Sequence, residues 1–115
     1  MKRVALAVLA LALAAGWVAG LAGCRTSDIR TVVIAVPDMK NAACQKLIAN
    51  SLATTDGIFS DAVVFDLEKR TVTVRYDSMK LAIKNIEHQI AKLGFSTADI
   101  PADPAARAAL PAECQ

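Results

Sequence analysis

"TVVIAVPDMKNAAC", residues 31–44, carries three local instructions in one stretch. "TVVIAV", 31–36, is a β-branched run bounded by Pro37 and reads as a buried strand. Residues 37–41 read as a loop. The apolar period then changes: Cys44, Leu47, Ile48 and Leu52 recur at helical spacing and predict an amphipathic helix near 42–54. Asn41 stands at the seam. Asparagine is among the best N-cap residues, and with Asn41 as cap Cys44 falls at the third helical position.

Working outward, "TTDG" ends this helix, with Gly57 able to take the left-handed conformation. "DAVVFD", 61–66, reads as a strand and "LEKR" as a polar turn. "TVTVRY", 71–76, alternates cleanly, with Val72, Val74 and Tyr76 on one face. Together these predict a hairpin over 61–76. Asp77 and Ser78 offer an N-cap to a second helix over about 79–93. Its stripe is Met79, Ile83, Ile86, Ile90 and Leu93, and Gly94 closes it. "FSTADI", 95–100, reads as a final strand. The order β-α-β-β-α-β is the ferredoxin-like arrangement of the α+β class. It places two helices on one face of a four-stranded antiparallel sheet, with the other face open or covered by the tail, 101–115. In that tail Asp103 and Pro104 form a cap and first-turn pair, "AARAAL" suits a short helix, and Pro111 stops it.

The N-terminal region reads differently. Lys2 and Arg3 precede an uncharged apolar run, Val4 to Gly23. That is a secretory signal or a single membrane span. "LAGC", Leu21 to Cys24, resembles the lipobox of bacterial lipoproteins. This resemblance implies a signal peptide over 1–23, cleavage before Cys24, and diacylglycerol on the Cys24 sulfur. Residues 24–30 then form a tether and 31–100 the domain. The implied location is exported and lipid-anchored to a bacterial cell envelope, on the periplasmic side. Arg25 stands where an aspartate would hold a lipoprotein at the inner membrane. The 115 residues suffice for one small domain behind such a signal. Without Lys2 and Arg3, the 13 basic residues fall to 11, against 11 acidic ones. A neutral domain has no electrostatic footprint for nucleic acid and no polybasic anchor for anionic lipid. Attachment to the membrane therefore rests on the lipid.

"TVVIAVPDMKNAAC", "DGI" at 56–58, "VVFDLEKRTVTVRYD" at 63–77 and "IAKLGF" at 90–95 together resemble the heavy-metal-associated domain family. That family includes the periplasmic mercury-binding protein, copper chaperones and the N-terminal modules of metal-pumping ATPases. Its loop motif is G-M-T-C-x-x-C. Here Asp38 stands at the glycine, Met39 at the methionine, Lys40 at the threonine, Asn41 at the first cysteine and Cys44 at the second. Phe95 stands where many members carry an aromatic near the loop. The resemblance implies a soft cation, Cu(I) first, with Hg(II) or Zn(II) as alternatives. It also implies a metal-transporting protein as partner. Met39, by the same resemblance, packs inward and shapes the loop.

The chemistry explains why the break at Asn41 matters. Cu(I) and Hg(II) favour thiolate sulfur and low coordination number. Two cysteines, one in the loop and one in the first helical turn, grip such an ion from both sides, and the helix N-terminus stabilises thiolate charge. Cys44 alone is half a site. Three readings follow. In the first, the site is dead and Cys44 is a small apolar residue. In the second, Cys114 completes it. A last strand carries the chain about 20 Å from the loop. A short helix recovers about 10 Å, and extended linking residues about 20 Å more. Cys114 can therefore reach Cys44, to share a soft metal or to oxidise to a disulfide. In the third, a partner or a second protomer supplies the ligand. His88, the single histidine, lies about 180° from the apolar stripe of its helix and so on the solvent face.

No nucleophile–base set, phosphate loop or paired catalytic carboxylates accompany these residues. A thiol oxidoreductase would want C-x-x-C in a thioredoxin-like order, and neither is present. The expectation is a non-enzymatic metal module, or the same fold with a dead site serving interaction or structure.

Overall fold

The computed structural model describes residues 23–115, so most of the signal segment, 1–22, lies outside the described residues. The chain runs β1 (Ile29–Ala35), α1 (Ala42–Ala53), a 3₁₀ turn (Ser60–Ala62), β2 (Val64–Asp66), β3 (Thr71–Asp77), α2 (Ile83–Lys92), α3 (Pro104–Ala109) and a 3₁₀ turn (Ala112–Cys114). Three antiparallel strands form one sheet in the order β1-β3-β2.

β1 begins at Ile29 and is half-buried rather than buried throughout. Ile34 and Val36 face the core, whereas Val33 on the other face is 62% exposed. Val64 of β2, also 62% exposed, pairs with the same Thr73 of β3 as Val33 does. The sheet face away from the helices is therefore open along this row, and the tail does not cover it. β3 keeps the alternation of its sequence: Val72, Val74 and Tyr76 are buried and Arg75 is exposed. Arg75 lies over the Phe59 ring, 5.5 Å from its centroid. The hairpin's first strand is shorter than its apolar run, because residues 60–62 coil into the 3₁₀ turn.

The core joins Ile34, Val36, Met39, Cys44, Ile48, Leu52, Val72, Val74, Tyr76, Ile86, Ile90, Phe95 and Cys114. Burying one large aliphatic side chain contributes roughly 1.5–3 kcal/mol. α1 supplies Cys44, Ile48 and Leu52 at four-residue steps. Gln89 of α2 fastens the end of α1 by donating to the Ser51 carbonyl, at 3.0 Å, and to the Thr55 hydroxyl.

Two expected elements differ. The second helix starts at Ile83, not near 79. The Asp77 carboxylate accepts from the Asp28 and Met79 N–H groups, both at 3.0 Å, and caps a separate turn. Met79 and Ile83 are consequently exposed, and the buried stripe begins at Ile86. The Asn85 side chain accepts from the Ala82 N–H at 3.0 Å and caps the true start. His88 is exposed.

The fourth strand is the larger correction: residues 95–100 form no strand, so among the described residues the sheet has three strands rather than four. Their backbone groups find other partners. Ser96 N–H donates to the Asp38 carboxylate at 3.0 Å, and Thr97 N–H to the Ile100 carbonyl at 2.9 Å. Pro101 then has no N–H to give a ladder. The bonds Val36 N–H to Arg70 O and Ser78 N–H to Asp28 O fix the even residues of β1 as those bonded to β3. By the alternation of antiparallel ladders, Thr31 and Val33 direct their backbone groups to the outer edge. That edge pairs with no strand among the described residues. Freed from the sheet, the chain turns back early, and α3 packs beside the loop between β1 and α1.

Candidate functional site

Asn41 has extended backbone, and its side-chain oxygen accepts from Ala43 N–H at 2.9 Å and Cys44 N–H at 3.1 Å. Cys44 is thereby held in the first turn of α1, where no acidic side chain opposes a thiolate. Met39 and Phe95, both fully buried, belong to the same core cluster as Cys44. Met39 N–H donates to the Val36 carbonyl at 3.0 Å and tightens the turn out of β1.

Cys114 lies against this turn. Cys44 and Cys114 form a disulfide with Cα atoms 5.7 Å apart, and both residues are fully buried. The spacing falls within the ordinary range for such a bond. The structure thus brings together the two cysteines left open by the sequence. The remaining cysteine, Cys24, is exposed and unpaired among the described residues. Cys44 and Cys114 gain no further ligand: among the described residues, no group of three or more His, Cys, Asp or Glu side chains could hold a metal ion.

The sequence reading did not find the residues that seat the tail. Arg107 of α3 donates to the Asp38 carboxylate at 2.7 Å. Asn41 Nδ2 donates to the Glu113 carbonyl at 3.2 Å, and Lys40 Nζ to a Gln115 oxygen. Gln115 in turn bonds the Ala108 and Leu110 carbonyls, folding the tail onto itself. Burial pushes the Asp38 carboxyl up, but the Ser96 N–H and the Arg107 guanidinium outweigh it and leave Asp38 below the ordinary carboxylate value. Gly94 has φ +104°, and a Cβ there would come within 2.7 Å of the Arg107 nitrogen, so the α3 backbone rests on a glycine that must stay bare. An ion pair across so many residues leaves no periodic trace in the sequence. The one available signal was that Asp38, Lys40 and Asn41 depart from the motif together.

These features define a small α+β domain whose first loop presents one thiol at a helix N-terminus and receives a second from its own tail. The heavy-metal-associated domain family matches residues 33–96, more than half of the chain, and the protein belongs to that family. Among solved structures, oxidised MerP from Ralstonia metallidurans CH34 is similar at 22% identity and a TM-score of 0.57. That match covers 62% of this chain and 96% of MerP. The CopZ metallochaperone is similar at 25% identity and a TM-score of 0.56, covering 60% of this chain and all of CopZ. No curated protein matches the chain. The family match ends before α3, so Arg107 and Cys114 lie outside it.

Proposed function

We propose that the protein is a non-enzymatic envelope module that binds or relays a soft cation through Cys44 and Cys114, and that the disulfide is its closed, metal-free form. The observation that supports this reading is the placement of Cys114. A cysteine from outside the family-matched segment sits against the first turn of α1, beside the position where Asn41 replaces a thiol. Two molecules of a small thiol reduce the disulfide by exchange, leaving as their own disulfide and yielding the two protein thiols. A soft cation then displaces the thiol protons and is held as a bis-thiolate, whose negative charge the α1 N-terminus favours.

Cu(I) and Hg(II) suit two sulfurs. Zn(II) takes four ligands, and among the described residues no group of three or more His, Cys, Asp or Glu side chains could hold a metal ion. The pair thus suits Cu(I) or Hg(II), and Cu(I) is the ion we propose. In this reading Cys24 carries the lipid, residues 24–30 tether the domain to the membrane, and the partner is a metal-transporting protein that takes or gives the ion.

The test is competition with a chromophoric Cu(I) chelator, using residues 25–115, which contain every strand, helix and core residue described. The reduced fragment is expected to hold one Cu(I). Cys44→Ser, Cys114→Ser and the oxidised fragment are expected to hold none. If the reduced fragment also holds none, the second reading takes over: a metal-blind domain stapled by its disulfide and serving as an interaction module. Full burial of both cysteines favours that reading.

A further inference from the structure

Three loop positions depart from the family motif, and each of the three holds the tail. Asp38 pairs with Arg107 at 2.7 Å, Lys40 reaches Gln115, and Asn41 donates to the Glu113 carbonyl at 3.2 Å. None of these contacts uses a sulfur. Together they grip α3 at one end and the 3₁₀ turn carrying Cys114 at the other. Gly94 adds a close backbone seat beneath Arg107.

We propose that Asp38 and Arg107 are positioning residues that keep Cys114 facing Cys44 when the disulfide is open, so that the two thiols persist as one preassembled pair. The tail is then a docked ligand arm whose seat does not depend on the bond it makes. A tail held only by its disulfide would swing free on reduction, and the thiols would meet only by chance closure of a long loop. A seated tail keeps their effective concentration high. The same seating lets the pair pass between disulfide and dithiol without refolding. This deepens the proposed function and rests on it for its purpose, but its test needs no metal.

The measurable quantity is the thiol–disulfide equilibrium of the 25–115 fragment in glutathione buffer. The protein disulfide and two glutathione thiols exchange with the protein dithiol and one glutathione disulfide. Two electrons pass from glutathione to the protein, and no other reactant is needed. Arg107→Ala is expected to lower the effective concentration of the pair roughly tenfold, as loss of a charge-assisted hydrogen bond would. Arg107→Lys, which keeps the cation, is expected to retain most of it. Asp28→Ala, which removes an ion pair with Arg30 remote from the tail, is expected to leave the equilibrium within twofold while lowering overall stability. A second measurement is amide exchange in the reduced Cys44→Ser fragment, where no disulfide can form within the chain. Protection of residues 107–110 is expected to persist there and to vanish when Arg107→Ala is added. The proposal is overturned if Arg107→Ala leaves the equilibrium within twofold of the parent, or if residues 107–110 lose protection in Cys44→Ser alone. A fragment that binds no Cu(I) but shifts as described would sink the metal reading and leave this one standing.

Discussion

Asn41 touches Glu113: its side-chain nitrogen donates to the Glu113 carbonyl at 3.2 Å, one residue before Cys114. The residue standing at the family's first cysteine therefore helps seat the tail that carries Cys114. The same side chain caps α1 through its oxygen. Asn41→Ala should lose both contacts and lower stability by about 1 kcal/mol or somewhat more. Urea denaturation of the reduced fragment measures this, and an unchanged midpoint would contradict the double role.

A complementary variant restores the motif. Asn41→Cys combined with Cys114→Ser places two thiols three apart, as the family has them, and removes the tail's sulfur. It should recover Cu(I) binding that Cys114→Ser alone loses, read by the same chelator competition. Failure to recover binding would mean that the loop itself, and not its missing thiol, has abandoned metal.

The disulfide closes a long loop, with a sequence separation of 70 between its cysteines. Loop-closure entropy for such a span is about 4 kcal/mol, before any native strain is subtracted. Reduction, or Cys114→Ser, should lower unfolding stability by roughly 2–4 kcal/mol without unfolding the sheet. Denaturant midpoints with and without reductant report it. A loss below about 1 kcal/mol would mean that the unfolded chain gains little freedom on reduction.

Much of this was legible in the sequence. The change from β-branched run to helical period at residues 31–52 located β1, the loop and α1, and Asn41 marked the helix start. The start of α2 was misread because Asp77 and Ser78 look like a cap. The Asp77 carboxylate is instead spent on Asp28 and Met79, contacts with no local signature. The fourth strand was misread because "FSTADI" has strand composition. What diverts it is the Ser96 N–H bond to Asp38, a partner 58 residues away, together with Pro101. Cys114 was visible as a candidate thiol. Its clamp was not, because Arg107 looks like any exposed charge on a short helix.

Gly94 gives a steric test of the clamp. Its φ of +104° disfavours a side chain, and an added Cβ would meet the Arg107 backbone at 2.7–2.8 Å. Gly94→Ala should cost about 2 kcal/mol or more and loosen α3. Amide exchange localises the effect: α3 amides should lose protection before those of β3. Uniform loss across the domain would argue that Gly94 serves only to end α2.

Asp38 should also be readable in pH. The folded state holds its proton less tightly than the unfolded chain does, since its carboxyl lies below the ordinary 3.8. Its contribution to stability is therefore fully present above that value and is lost as pH falls through the lower native one. The stability gap between parent and Asp38→Asn should stay constant from about pH 7 to pH 5 and shrink only below 3.8. Asp28, also held low by Ser78 and Arg30, weakens both proteins in acid and drops out of the difference. A gap that closes near pH 6 would remove Asp38 from the account.

The central claim is that Cys44 and Cys114 are co-ligands when reduced. X-ray absorption of the Cu(I)-loaded reduced fragment tests it most directly, because it counts the sulfurs around copper. The account predicts one copper per chain with two sulfur neighbours, and no copper retained by Cys114→Ser. Copper bound equally well by Cys114→Ser, or no copper retained by the reduced parent, would contradict it.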